Sequence, residues 1–545
     1  MDYPVESFNE SERAALAPHF TNLDSPVFAL VNLPETVKGA MFARYSRYQG
    51  TLRRLYLDEF AQDSEQDEDS KDSASVPNPS RPAFDGAEGE RARKLYERIF
   101  LGYGDDSVAQ LGGAHVACEW VSNVMTKVLQ RGRLAAYLEQ STRYISYDAP
   151  IEGTGAYRYW RDPALGPAYE SAMDSLFVTY SESLPRVREW AAERFPRSDG
   201  EAESAHVRSI NAKALDLMRG LLPAASLSHV GVFASGQAYE QLILRCLASP
   251  LPEARDYGRM ILAELQSVMP SFLARVERPE RGGEWVSYLQ QRADAAERWA
   301  GRLGLDRTRG GTEADAGPSV KLLSVEGSED ALLAALLFEA AAVSEQEAQR
   351  AVHALPPDER GQMLSELVGE RSNRRHRPGR GLEALRYRFE VVSDYGAFRD
   401  LQRHRMLTIQ WQTLSPDLGA GVPQELQEAG VADDYRSALE RSAAEHARIV
   451  DAGSPELAPY ALCLGYRIRY VLDMNAREAM QLIELRSGRE GHPGYRAVAH
   501  ELHAQIAEVH PAVAAAMTHV DRDVEPRLER ILSEIRTHAR QAARA

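Results

Sequence analysis

The strongest constraint on what this chain can fold into is an internal repeat. Residues QRGRLAAYLEQSTRY at 130–144 and QRHRMLTIQWQTLSP at 402–416 share the opening Gln-Arg-x-Arg and continue with an apolar–polar mixture of equal length. Further on, QAYEQLILR, ending at Arg245, is similar to EAMQLIELR, ending at Arg486. The two offsets, 272 and 241, differ by 31 residues, so the halves read as related copies with unequal insertions. Two domain-sized copies make a duplication and not a solenoid, whose period is about 20–50 residues. At 545 residues the chain also exceeds what one hydrophobic core usually organises.

Punctuation along the chain supports this division. The stretch DRTRGGTEADAGPS at 306–319 reads as a linker, and the apolar run VKLLSV that follows reads as a strand. Most of the remainder has helical periodicity, as in 253–276, where Tyr257, Ile261, Leu262 and Leu265 recur on one face. Residues 63–72 hold six acids against Lys71 and lead into SASVPNPSRP, so 61–83 reads as a disordered acidic loop. Residues 1–60 read as a helical N-terminal extension, with homologous domains at 84–305 and 320–545 on either side of the linker.

Composition bounds the function. With 44% hydrophobic and 26% charged residues, and no apolar run near the roughly 20 residues of a membrane span, no membrane association is expected. The start MDYPVESFNESER lacks a secretory pattern, so a cytoplasmic location is the expectation. A formal charge of −16 argues against a sequence-blind nucleic-acid binder. Cys118, Cys246 and Cys463 have no metal or redox spacing, so burial is expected and no metal site. Walker, GxGxxG, HExxH and CxxC signatures are missing.

Three patterns could carry chemistry, and each also has an ordinary structural reading. Glu139, Ser141 and Arg143 alternate, so an extended segment would point all three to one side, either to read a small polar ligand or as a solvated edge. Asn475, Ala479, Leu482 and Arg486 form one stripe of a helix, which could line a pocket or simply pack. The basic run SNRRHRPGRG at 372–381 could grip a cofactor phosphate or be an exposed loop.

Arg-His-Arg, seven residues, then Ser resembles the signature of flavin-dependent thymidylate synthases, here split between the copies. Arg131-Gly132-Arg133 precedes Ser141 and Arg143-Tyr144 at the family spacing but has Gly for the central His; Arg403-His404-Arg405 keeps the His but is followed by Thr413 and Ser415. RGLLP at 219–223 resembles the family's Arg-x-x-Leu-Pro, and NAREAMQLIELR at 475–486 its Asn-Ala-Arg helix. The resemblance implies a helix-rich α+β fold with two homologous domains, each with a small, mostly antiparallel sheet packed by helices. It assigns nucleotide binding in the first copy to Arg131, Glu139, Ser141, Arg143, Arg219 and Arg245, and flavin binding in the second to Glu383, Arg403, His404, Arg405, Asn475 and Arg477. The second copy departs from the nucleotide set at Trp411, Thr413, Ser415 and Pro459.

The implied reaction is reductive methylation of deoxyuridine monophosphate (dUMP) to thymidine monophosphate, with FAD as cofactor and methylenetetrahydrofolate and NADPH as co-substrates. Arg486 and Arg245, which also belong to the substrate-binding set, would support charge on the uracil ring, with Ser141 at the same centre as a phosphate ligand rather than a nucleophile. Family members resemble homotetramers with shared sites, which implies a homodimer forming a pseudo-tetramer. Its working site would combine Arg403, His404, Arg405, Asn475, Arg477 and Arg486 with Glu139, Ser141, Arg143 and Arg219. The departures leave a second expectation open, a non-catalytic FAD- or nucleotide-binding homologue with a regulatory or structural role.

Overall fold

The computed structural model describes residues 3–4, 6–61, 94, 98, 109–197, 202–305 and 317–523. The expected acidic loop from residue 62 onward and most of the 306–319 linker lie outside the described residues.

The chain divides into two compact units that do not coincide with the sequence halves. The first comprises Met1–Asp174, Pro223–Gly310 and Glu445–Ala461; the second comprises Ser175–Leu222, Gly311–Ala444 and Leu462–Ala545. Each unit therefore includes a segment from the other half of the sequence. Contiguous domains at 84–305 and 320–545 do not describe this exchange, because contacts between segments so far apart leave no local pattern to read.

Each unit is built on a four-stranded antiparallel sheet of the same topology. In the first, β1 (Val27–Leu30), β2 (Gly113–Ser122), β3 (Ala135–Glu139) and β4 (Leu227–Ser235) lie in the order β1-β2-β4-β3. In the second, β5 (Ser319–Glu326), β6 (Arg386–Asp394), β7 (Thr408–Trp411) and β8 (Arg467–Asn475) lie in the order β5-β6-β8-β7. The run VKLLSV is thus a strand, and the small antiparallel sheets packed by helices match the expected fold class.

Residues 1–60, read from sequence as a helical extension that the family resemblance did not reach, also contain a strand. VFAL at Val27–Leu30 is the edge strand β1, paired with β2; four residues are too few to reveal a strand among helical patterns. Its alternating side chains enter two cores. Val27 and Ala29 join Val116, Cys118, Val230 and Val232 under Leu242, Ile243, Tyr257 and Ile261. Phe28 and Leu30 join Ala117 and the N-terminal Phe8, Leu16, Phe20, Met41, Phe42 and Leu55. The N-terminal segment therefore covers the second face of this sheet. Phe42 sits so close that a Cβ on Gly231 would lie 2.5 Å from its ring.

A bulge in β2 between Cys118 and Val121 ties this segment down. It holds Trp120 at φ 57°, a conformation costly for a non-glycine residue, with the Trp120 N–H donating to His229 Nδ1 at 3.1 Å. Beside it, buried Glu119 accepts from Tyr45 Oη at 3.0 Å, the Leu52 N–H at 2.7 Å and Arg53 Nη2 at 3.3 Å. The second sheet has a different cladding. Tyr387, Phe389 and Val391 are buried, whereas Arg386 and Arg388, which alternate with them on β6, reach Asp473 at 2.8 and 3.2 Å on a polar face.

Candidate active site

In the second unit, Asp394 ends β6 and caps helix Tyr395–Leu401, its Oδ1 accepting from the Ala397 N–H at 2.8 Å. The helix closes just before Arg403-His404-Arg405, where the His404 N–H bonds Leu401 O at 3.2 Å. Asn475 ends β8 and caps helix Ala476–Arg486 through the Glu478 N–H at 2.9 Å. Glu478, Leu482 and Arg486 then fall at i, i+4 and i+8, on one face.

His404 bridges the two ends of that face. Its Nδ1 lies 2.9 Å from Glu478 Oε1, and Arg486 Nε donates to its Nε2 at 3.0 Å. An arginine Nε–H can only donate, so Nε2 must be unprotonated and the proton sits on Nδ1, facing the carboxylate. Burial pushes the His404 pKa down, Glu478 counters it and Arg486 adds to it, which keeps the ring neutral. Burial likewise holds Arg486 below the usual arginine range, opposed by Asp400 and Tyr495, and its guanidinium carbon lies 5.5 Å from the Tyr495 ring centre.

Three arginines surround one carboxylate beside this chain of bonds. Arg219, from the RGLLP segment of the first sequence half, is buried in this unit with Nη1 3.4 Å from Asp400 Oδ2 and Nη2 3.9 Å from Asp394 Oδ1. Arg403 Nη1 lies 3.9 Å from Asp400 Oδ1, and Asp400 also acts on Arg486. With His404 neutral, the three arginines are matched by the carboxylates of Asp394, Asp400 and Glu478.

Glu383, Asn475 and Arg477 gather at the other end of helix Ala476–Arg486, about 16 Å along it by helix rise. Arg477 bonds Pro378 O at 3.0 Å and Glu383 at 3.1 Å, and Glu383 also meets Arg380 at 3.1 Å. The basic run 372–381 is mostly exposed and is anchored at its start by Arg371, which grips buried Glu484 with two bonds of 2.7 and 2.6 Å.

The remaining expected residues lie in the first unit, arranged differently from expectation. β3 stops at Glu139 and residues 142–144 form a turn, so Glu139, Ser141 and Arg143 do not alternate along an extended segment. The cause is local. Glu139 is buried against Lys127 Nζ at 3.3 Å and Gln130 Nε2 at 2.9 Å, and Ser141 Oγ accepts from the Arg143 N–H at 3.3 Å, which closes the turn. Arg143 is buried, while Arg131 is exposed.

The pairing of Arg245 with Arg486 also needs correction. Ser235 caps helix Gly236–Leu247 as Asn475 caps helix Ala476–Arg486. Counted from the caps, Arg245 is the tenth residue and Arg486 the eleventh, a difference of about 100° around the helix. Buried Cys246 takes the place of Arg486, and Ala238 that of Glu478. Gly132 stands in the place of His404, and a Cβ there would meet Tyr137 Oη at 2.7 Å and Arg245 Nη2 at 3.4 Å. Arg245 Nε is buried without a hydrogen-bond partner among the described residues.

Where the second unit has Asp394 and Arg219, the first has a network without a cation among the described residues. Ser122 donates to buried Glu253 from N at 2.8 Å and from Oγ at 2.6 Å, and Tyr460 Oη donates at 2.7 Å. Burial pushes the Glu253 pKa up to about 7. Glu478, Asp400, Glu253 and Tyr460 were not singled out from sequence. Glu478 precedes Arg486 by two helical turns on one face, a spacing that could have drawn attention to it. Among the described residues there is no group of three or more His, Cys, Asp or Glu that could hold a metal, and no helix is long and apolar enough to cross a membrane.

A family model described as "Thymidylate synthase complementing protein" matches residues 51–271 and 330–512, once in each half. The chain belongs to this family. Its double match fits a tandem duplication of the flavin-dependent thymidylate synthase fold. A UPF0159 protein of Chlamydia muridarum is 36% identical over 98% of this chain and 99% of its own length. A UPF0159 protein of Thermoplasma acidophilum is 30% identical over 84% of this chain and 94% of its own. Among solved structures, a UMP/dUMP methylase PolB from Streptomyces cacaoi, bound with 5-Br dUMP, aligns at 18% identity and a TM-score of 0.30, over 38% of this chain and 97% of its own. That similarity is too low to carry an argument.

Proposed function

We propose that this member of the family is an FAD-dependent thymidylate synthase that converts dUMP to thymidine monophosphate with methylenetetrahydrofolate and NADPH, its charge-stabilising centre in the second unit. The observation that carries this reading is that Arg219, Arg403, His404 and Arg486, drawn from both sequence halves, come together around Asp400 and Glu478. Arg486 supports negative charge that develops on the uracil ring, and partial burial strengthens that interaction relative to water. Arg219 adds positive charge for the nucleotide's anionic groups.

The residues assigned to FAD fit it in part. Exposed Arg405 has no partner among the described residues, so its guanidinium group suits the cofactor's diphosphate, and Arg403 beside it is also exposed. His404 does not fit as a direct ligand, because both ring nitrogens are engaged within the protein. When bound, the flavin supplies the hydride, so no cysteine nucleophile is needed; all three cysteines are buried.

A second reading, a non-catalytic nucleotide- or flavin-binding homologue, is favoured by the first unit, where Gly132, Ala238 and Cys246 replace the bridging set and Glu139 is bound to Lys127 and Gln130. Complementation separates the two. A thymidine-requiring strain should grow without thymidine when it expresses this chain; failure to grow despite soluble expression would favour the second reading. The homodimer forming a pseudo-tetramer is part of the same proposal, tested by solution mass.

A further inference from the structure

We propose that Glu478 and His404 are positioning residues that aim Arg486; the proposal rests on the reading of Arg486 as the group that supports charge on the uracil ring. An arginine is held by a long flexible chain, and its aim decides what it stabilises. Binding Nε to His404 at 3.0 Å fixes the guanidinium plane, while both terminal nitrogens stay outside that bond. The bond requires a ring that accepts at Nε2, and Glu478, 2.9 Å from Nδ1, enforces that tautomer by taking the Nδ1 proton as its hydrogen-bond donor. All three side chains lie on short, well-anchored segments. Glu478 and Arg486 share a helix capped by Asn475, and His404 follows a helix capped by Asp394.

The internal repeat supports the three acting together. At matching positions the first unit has Gly132 for His404, Ala238 for Glu478 and Cys246 for Arg486. Glu478 does not cap its helix, a role that Asn475 fills, and the three positions change together between the copies. Arg245, one position earlier on its helix, is left with Nε buried and without a hydrogen-bond partner among the described residues. The first unit thus lacks the whole device and the second holds all of it.

The test compares wild type with Glu478→Ala and Glu478→Gln, with folding checked by thermal melting. Nitrogen-15 NMR of labelled histidine, assigned with His404→Asn, reads the tautomer directly, and turnover is followed with dUMP. The expected result is a neutral Nδ1–H ring in wild type. Glu478→Ala shifts the ring toward Nε2–H and lowers kcat about tenfold to a hundredfold with little change in KM for dUMP, by analogy with the loss of the carboxylate that orients a metal-binding histidine. Glu478→Gln, whose amide oxygen can still accept from Nδ1, retains the tautomer and most of the turnover. A wild-type tautomer and wild-type turnover in Glu478→Ala would overturn the proposal, as would a wild-type ring in the Nε2–H form. If wild type shows no turnover at all, the proposed function falls, and the tautomer comparison alone still decides the positioning role.

Discussion

The two units share strand order, strand direction and helix caps, yet they differ at the same three places. In the first, both faces of the sheet are covered by apolar side chains, the capping residue Ser122 feeds a network through Glu253 and Tyr460 that is cation-free among the described residues, and Gly132, Ala238 and Cys246 leave no bridged arginine. In the second, the sheet keeps a polar face, the capping residue Asp394 neighbours Arg219, and Glu478, His404 and Arg486 form a chain of hydrogen bonds. One scaffold lacks the bridged arginine and the other has kept it. The lesson is that charged sites are lost as sets, because a carboxylate, imidazole or guanidinium left behind in a buried place is costly without its partners.

The largest effect tests the packing side. Phe28→Ala, in the fully buried second core of the first sheet, should lower unfolding stability by about 3–5 kcal/mol, measured by denaturant titration. A loss under about 1 kcal/mol would mean that the N-terminal cover contributes little. Next, Arg486→Ala should reduce kcat by about a hundredfold to a thousandfold, whereas Arg245→Ala should leave it within about threefold. Equal losses would erase the contrast between the units.

Glu253 gives a pH-dependent test. Its folded pKa, raised by burial to about 7 from the ordinary value of 4.5, contributes stability that is fully present below 4.5, declines as pH rises and is gone above about 7. The amplitude is on the order of 3 kcal/mol. Between pH 5 and 7 the stability of wild type should therefore fall relative to Glu253→Gln, and parallel curves would remove Glu253 as the cause. The smallest effect belongs to the polar face of the second sheet. Arg388→Ala breaks a partly exposed pair with Asp473 and should cost about 0.2–1 kcal/mol, diminishing with salt.

Much of this architecture could be read from the sequence, for identifiable reasons. The repeated Gln-Arg-x-Arg segments follow equivalent helices because both are fixed by a cap at the end of a strand, and VKLLSV forms a strand because its apolar run is bounded by turn residues. Tyr257, Ile261, Leu262 and Leu265 are buried as their spacing requires. Three things were not readable. The exchange of 175–222 and 445–461 between units depends on contacts without local pattern. The turn after Glu139 depends on Lys127 and Gln130 drawing that carboxylate inward. The one-residue difference between QLILR and QLIELR moves Arg245 off the position of Arg486, which only counting from the helix caps reveals.

The central claim is that the second unit holds the working nucleotide and flavin site. The most direct measurement is the visible absorption spectrum of the purified chain during titration with dUMP, repeated for Arg486→Ala and Arg245→Ala. The account predicts flavin bands that shift with dUMP in wild type and Arg245→Ala, with the shift weakened or lost in Arg486→Ala. A colourless protein that takes up no added FAD, or a shift lost in Arg245→Ala and kept in Arg486→Ala, would contradict it.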